Sequence, residues 1–72
     1  MLEPERPETV FNEAVLIDEY EARLGGDRGV AAARRAVELF EDFIKKAATE
    51  QEYAEALRIA RRRSSILRAQ LR

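Results

Sequence analysis

The fold of this chain is decided by residues 30–47, which read VAAARRAVELFEDFIKKA. On a helical wheel at about 100° per residue, the apolar and charged side chains of this stretch separate onto opposite halves. The apolar half contains Val30, Ala33, Ala36, Val37, Leu39, Phe40, Phe43, Ile44 and Ala47. On the charged half, acids and bases stand four residues apart, as Arg34 and Glu38 do, and such pairs support a helix. The pattern predicts an amphipathic helix over about residues 27–48.

A second helix is predicted directly after this one. Thr49-Glu50-Gln51-Glu52 has the spacing of a capping box, in which the threonine hydroxyl accepts from the N–H of Glu52 and the Glu52 carboxylate accepts from the N–H of Thr49. The connection is too short for anything except a sharp reversal. We therefore expect a helix over about residues 50–71 that packs antiparallel to its predecessor.

The two helices of this hairpin carry matching apolar seams. In each seam the spacings alternate between three and four residues, which is the repeat of helices whose side chains interlock as in a coiled coil. The first seam consists of Val30, Ala33, Val37, Phe40, Ile44 and Ala47, and the second of Tyr53, Leu57, Ala60, Ser64, Leu67 and Leu71. The seams predict which faces of the two helices meet.

A further helix is predicted ahead of the hairpin, over about residues 8–24. Pro7 suits the first turn of a helix because its φ is already helical and its missing N–H would have had no partner. Gly25-Gly26 provides the left-handed backbone that ends a helix, and Asp27 is a candidate N-cap for the next one. The expected apolar face of this helix consists of Val10, Ala14, Ile17, Tyr20 and Leu24, and Leu16 extends it.

These patterns together predict an all-α protein of three helices, in which helices two and three form an antiparallel hairpin and helix one packs across it. The 72 residues have room for one domain only. We expect residues 1–7 to be a flexible acidic arm and residues 8–72 to form a single helical domain. Since a domain of this size buries only about 60% of its unfolded surface, self-association or a partner protein is an expected source of added stability.

The composition argues against several classes of function. The chain has no histidine and no cysteine, which removes the commonest metal ligands and catalytic nucleophiles. Glycine-rich residues 25–29 lack the preceding strand and the spacing of a phosphate-binding loop. We therefore expect no enzyme activity, no metal and no cofactor. The first residues lack the basic and apolar stretches of a signal peptide and no long apolar run follows, so a cytoplasmic location is expected.

Apolar residues outside the seams suggest an interaction surface. Phe11 and Val15 project away from the main face of helix one, and Ile59 and Ile66 stand seven residues apart on a second stripe of helix three. Either helix one lies in the groove of the hairpin and covers these positions, or they form a docking face for another protein or another copy of the chain. The second alternative predicts an adaptor, accessory or co-chaperone subunit, in an oligomer or complex. Its interface would consist of Phe11, Val15, Ile59 and Ile66, with Arg62 and Arg68 at the rim.

The charge of the chain is distributed unevenly along its length. Residues 1–27 have eight acids and two arginines, a net charge of −6, whereas residues 53–72 have one acid and six arginines, a net charge of +5. An alternative function is therefore contact with nucleic acid through Arg58, Arg61, Arg62, Arg68 and Arg72. The basic face could instead be solvated, could pair with the acids of helix one, or could meet the acidic segment of a second copy.

Overall fold

A computed structural model describes residues 6–71 of the chain and confirms the three-helix, all-α fold. The helices are α1 (Pro7–Leu16), α2 (Gly26–Ala47) and α3 (Ala54–Gln70). A π-helical turn (Ile17–Glu21) and a 3-10 turn (Ala22–Leu24) continue α1, and a second 3-10 turn (Gln51–Tyr53) leads into α3. Residues 1–5 of the predicted acidic arm lie outside the described residues, and so does Arg72.

The longest helix, α2, occupies the middle of the molecule. It packs against α3 as the predicted hairpin partner and against α1 on its other flank, whereas α1 and α3 approach each other less closely. The molecule is accordingly flattened, with extents of 35 × 29 × 16 Å. Two neighbours therefore cover α2, while α1 and α3 each keep more of their surface in solvent.

α1 and α3 run parallel along the two flanks of α2. The hydroxyl of Tyr53 donates to the carboxylate of Glu8, and the guanidinium of Arg63 donates to Asp18. Both contacts join residues 45 apart in sequence. The chain advances by the same number of residues from Glu8 to Asp18 as from Tyr53 to Arg63. The N-terminal segment and α3 therefore lie side by side in a constant register.

The core consists of the faces that the seams predict. The buried apolar residues are Val10, Ala14, Ile17, Ala33, Ala36, Val37, Leu39, Phe40, Phe43, Ala47, Leu57, Ala60 and Leu67. Ser64 is also buried, as its place in the seam requires. Val30 is the exception because it is exposed. It starts the α2 seam, so in the antiparallel pairing it lies opposite the end of α3, where little chain is left to cover it.

The segment after α1 departs from the regular helix that the sequence predicts. In an α-helix, Tyr20 and Leu24 would share a face with Ile17, but they are 67% and 68% exposed. The π turn from Ile17 to Glu21 is wider than an α-helical turn, so each residue rotates the chain by a smaller angle. Tyr20 is therefore turned away from the buried Ile17 and lies in solvent, as does Leu16, which is 56% exposed.

Both predicted helix caps are wrong. α2 begins at Gly26 with Gly25 as its N-cap, and Asp27 lies in the first turn instead. The carbonyl of Gly25, whose φ is +78°, accepts from the N–H of Gly29 at 3.0 Å. At the other turn no side chain caps the helix, so Thr49 does not form its capping box. There the carbonyl of Glu50 accepts from the N–H of Tyr53, and this backbone hydrogen bond closes the 3-10 turn.

Gly29 has a packing role within α2. It is buried, and a Cβ at this position would lie 3.0 Å from the carbonyl oxygen of Ala22. A side chain here would push the 3-10 turn away by a few tenths of an ångström, so glycine permits the close approach of Ala22 to α2.

Candidate functional site

An open groove separates the N-terminal helical segment from α3 at the end of the molecule near Gly25. Its volume is about 530 Å³. The apolar floor consists of Ala22, Ile59, Ile66 and Leu67, and the polar rim of Asp18, Arg23, Arg62, Arg63 and Gln70. We call this feature the α1–α3 groove.

The opposite end of the same helix pair is closed by aromatic side chains. The ring of Phe11 lies 5.0 Å from that of Phe43 and 6.1 Å from that of Phe40, measured between centroids. The rings of Phe43 and Tyr53 meet edge to face at 5.9 Å. Near Gly25 the N-terminal segment offers Ala22 in place of a large ring, so the space between the helices stays open.

The structure brings together only some of the predicted interface residues. Ile59, Ile66 and Arg62 all line the α1–α3 groove, and Ile66 is 49% exposed. Phe11 and Val15 are half-buried and pack against the chain's own core. These two positions therefore fit the alternative in which helix one packs its apolar side chains against the hairpin.

Arg68, the other predicted rim residue, lies away from the groove. It lines a shallow depression between α2 and α3, where its guanidinium contacts the carboxylate of Glu41. This contact belongs to the hairpin and not to the surface that contains Ile59 and Ile66. The rim of the groove thus includes Arg62 but not Arg68.

Opposite charges meet across the lip of the groove at one point. Arg63 donates to Asp18 at 2.9 Å and to Glu19 at 3.3 Å, and the side chain of Asp18 is largely buried by this contact. Arg62 and Arg23 are exposed, and within residues 6–71 no carboxylate lies within ion-pair distance of either. The accessible part of the rim is therefore cationic.

The arginines predicted to contact nucleic acid do not form one free basic face. Arg58 pairs with Glu55 at 2.5 Å and Arg68 pairs with Glu41. Arg61 and Arg62 are exposed without such a partner among the described residues, and they lie on adjacent sides of α3. Arg72 lies outside the described part of the chain. Contact with nucleic acid thus stays a prediction that rests on the sequence.

The hydrogen bond to Glu55 within α3 raises the pKa of Arg58. Two other groups with altered pKa values, Glu8 and Tyr53, form the contact between α1 and the start of α3. The hydrogen bond from Tyr53 lowers the pKa of Glu8, because it stabilises the carboxylate. The same bond raises the pKa of Tyr53 to about 12. Both groups hold the helices together, and neither lines the groove. Across residues 6–71 no cluster of three or more acidic side chains is placed to hold a metal ion.

Sequence reasoning missed the outer surface of the N-terminal segment. Leu16 and Tyr20 form an exposed apolar ridge there, and Arg23 contributes to the rim of the groove. A wheel drawn at a constant helical angle places Tyr20 inside, because it contains no information on where a π turn interrupts the helix. The exposed ridge follows only from the three-dimensional backbone.

Comparisons with protein-family models, curated proteins and solved structures gave no match to this chain. No helix within residues 6–71 has the length and apolar character that crossing a bilayer requires. The groove and the surfaces next to it are therefore the features of this chain that bear on its function.

Proposed function

We propose that this chain is a non-enzymatic protein–protein interaction module that acts through apolar helix faces, in a complex or as an oligomer. The observation that carries the proposal is the α1–α3 groove. In it the half-buried Ile59 and the exposed Ile66 lie beside Arg62, which has no ion-pair partner within residues 6–71. On this proposal the chain is an adaptor, accessory or co-chaperone subunit.

The composition of the groove supports this proposal. Protein interfaces typically combine an apolar centre with a polar rim, and arginine is enriched in them. The groove has this arrangement, because the isoleucines and Leu67 form its floor while Arg62 and Arg23 stand at its edge. Its volume of about 530 Å³ leaves room for only a few side chains of a partner.

Site-specific photocrosslinking tests the proposal. A photoreactive phenylalanine analogue placed at Ile66 should yield a discrete crosslinked protein product in extracts of the native host. The same analogue at Ser65, an exposed neighbour that faces the depression between α2 and α3, should not. Adding Ile59→Arg to the Ile66 probe should abolish the product, because it places a charge on the apolar floor.

Circular dichroism of each variant provides the control for folding. Equal yields from the probes at Ile66 and Ser65, or no product from either, would contradict a role for the groove. A product that persists in folded Ile59→Arg protein would contradict it as well.

A further inference from the structure

The exposed apolar ridge on the N-terminal segment has no partner within the described part of the chain. Leu16 and Tyr20 are 56% and 67% exposed, and they are four residues apart, so they are neighbours on one face of the helical segment. Glu19 and Glu21 lie on either side of Tyr20: Glu19 pairs with Arg63, and the exposed Glu21 lines a depression on the α2 side. The ridge is thus a convex apolar surface bordered by acids.

The ridge and the α1–α3 groove are complementary in shape and charge. The groove is concave and apolar with Arg62 and Arg23 at its rim, whereas the ridge is convex and apolar with acidic neighbours. Tyrosine is suited to such a contact because its rigid ring fills an apolar groove while its face or hydroxyl meets a guanidinium.

Some charged side chains of the N-terminal segment and of α3 form no ion pair within residues 6–71. Arg63 pairs with Asp18 and Glu19, and this is the contact that joins the acidic and basic segments near the groove. Within residues 6–71, Glu21 on one side and Arg62 on the other are left without an ion-pair partner. A second copy of the chain offers each of these charges its opposite.

We propose that the occupant of the α1–α3 groove is the Leu16–Tyr20 ridge of a second copy of this chain. This inference builds on the proposed function and names the partner at the same groove. Tyr20 and Leu16 contact Ile59 and Ile66 of the neighbouring copy, and Glu21 lies near its Arg62. Because the groove and the ridge are different surfaces, the contact joins unlike patches, and one copy can engage neighbours at both.

The small size of this contact sets the expected strength of association. Stable complexes bury about 1,200–2,000 Å² in total, and a single ridge in a groove of this volume falls at the weak end of that range. Association should therefore depend on concentration and extend beyond a dimer as concentration rises. A permanently closed dimer is not expected from this geometry.

Sedimentation velocity of the full chain across a wide concentration range tests the inference. Tyr20→Ala should weaken self-association about tenfold or more, since aromatic residues at the centre of an interface contribute most. Val30→Ala is the matched control, because Val30 is 45% exposed on α2 and belongs to neither the groove nor the ridge. It should leave association unchanged.

Charge reversal tests the register of the contact. Arg62→Glu and Glu21→Arg should each weaken association about tenfold, because each places like charges together. The double variant restores opposite charges and should associate within about threefold of the wild type. Arg61→Glu, next to Arg62 but outside the groove, and Glu50→Arg, in the turn before α3, are the matched single controls.

The outcomes separate this inference from the proposed function. A wild type that stays monomeric, association that Tyr20→Ala leaves intact, or a double variant weaker than both single variants overturns the second copy as occupant. The crosslink from Ile66 then still tests the groove independently, since a product with a different protein supports the interaction module. If that crosslink also fails, both proposals are overturned.

Discussion

The two ends of the space between the N-terminal segment and α3 differ in what fills them. At one end the rings of Phe11 and Tyr53 both pack on Phe43, and the three rings close the gap into core. At the other end the same pair of segments, in the same register, meets across Ala22 and leaves the α1–α3 groove open. Side-chain size along one segment thus decides whether the space becomes core or binding surface. We expect changes at the closed end to affect stability and changes at the open end to affect association.

The largest expected effect is at the closed end. Phe43 is fully buried and contacts two other rings, so Phe43→Ala should cost about 3–5 kcal/mol of unfolding free energy through lost burial and the cavity left behind. A core of this size supplies only roughly 3–5 kcal/mol in total. We therefore expect the variant to be largely unfolded at 25 °C, as measured by circular dichroism and urea titration.

Ile66→Ala at the open end is the matched control for this prediction. The Ile66 side chain is 49% exposed in the groove, so its truncation should cost less than about 1 kcal/mol and leave the unfolding transition cooperative. If Phe43→Ala unfolds as late in urea as Ile66→Ala does, the closed end is not the structural core.

The hairpin could be predicted because its determinants are periodic. The heptad spacings of α2 and α3 specify which faces meet, and every seam residue from Ala33 to Ala47 and from Tyr53 to Leu71 is buried or half-buried. Tertiary packing keeps these helices regular, so a constant angle per residue describes them well. Their ends are harder to predict, because neither Asp27 nor Thr49 caps a helix with its side chain and backbone hydrogen bonds close the first turns instead.

The groove could be predicted only in part. The seven-residue spacing of Ile59 and Ile66 identified one wall, since both lie on regular α3. The other wall depends on the π turn after Leu16 and on the close approach of Ala22 to Gly29, and neither leaves a periodic signal. Phe11 and Val15 lie on regular α1, and the sequence leaves open whether the chain itself or a partner covers them; in the structure they pack against the core.

A smaller effect is expected where the closed and open ends join, at Arg63. This side chain bridges Asp18 and Glu19 and is 31% exposed, so Arg63→Met removes two charge-assisted hydrogen bonds while keeping much of the apolar stem. Because solvent screens part of the interaction, we expect a loss of about 1 kcal/mol. Arg62→Met, at the neighbouring unpaired arginine, should change stability by less than about 0.5 kcal/mol.

Salt provides an independent check on Arg63. The difference in unfolding free energy between Arg63→Met and Arg62→Met should shrink as salt rises, because screening weakens the ion pairs of Arg63. A difference that is absent at low salt, or one that does not change with salt, would mean that these ion pairs do not stabilise the junction.

The smallest expected effect is a pH dependence of the closed end through Tyr53 and Glu8. Folding lowers the pKa of Glu8 below 4.5, so its contribution to stability is present above pH 4.5 and is lost as pH falls through the lowered pKa. Folding raises the pKa of Tyr53 from 10.0 to about 12, so that contribution is present below pH 10.0 and is lost as pH rises through about 12. Tyr53→Phe removes the hydrogen bond that causes both shifts. The wild type should therefore exceed Tyr53→Phe in thermal stability between these limits, and the two should converge at acid pH.

The control is Tyr20→Phe, which changes an exposed ring on the ridge and should keep the wild-type profile. Tyr53 is the one tyrosine left in this variant, so its phenol can be titrated by absorbance without overlap. A midpoint at 10.0 for Tyr53, or parallel profiles for the wild type and Tyr53→Phe, would show that this hydrogen bond does not tie the closed end together.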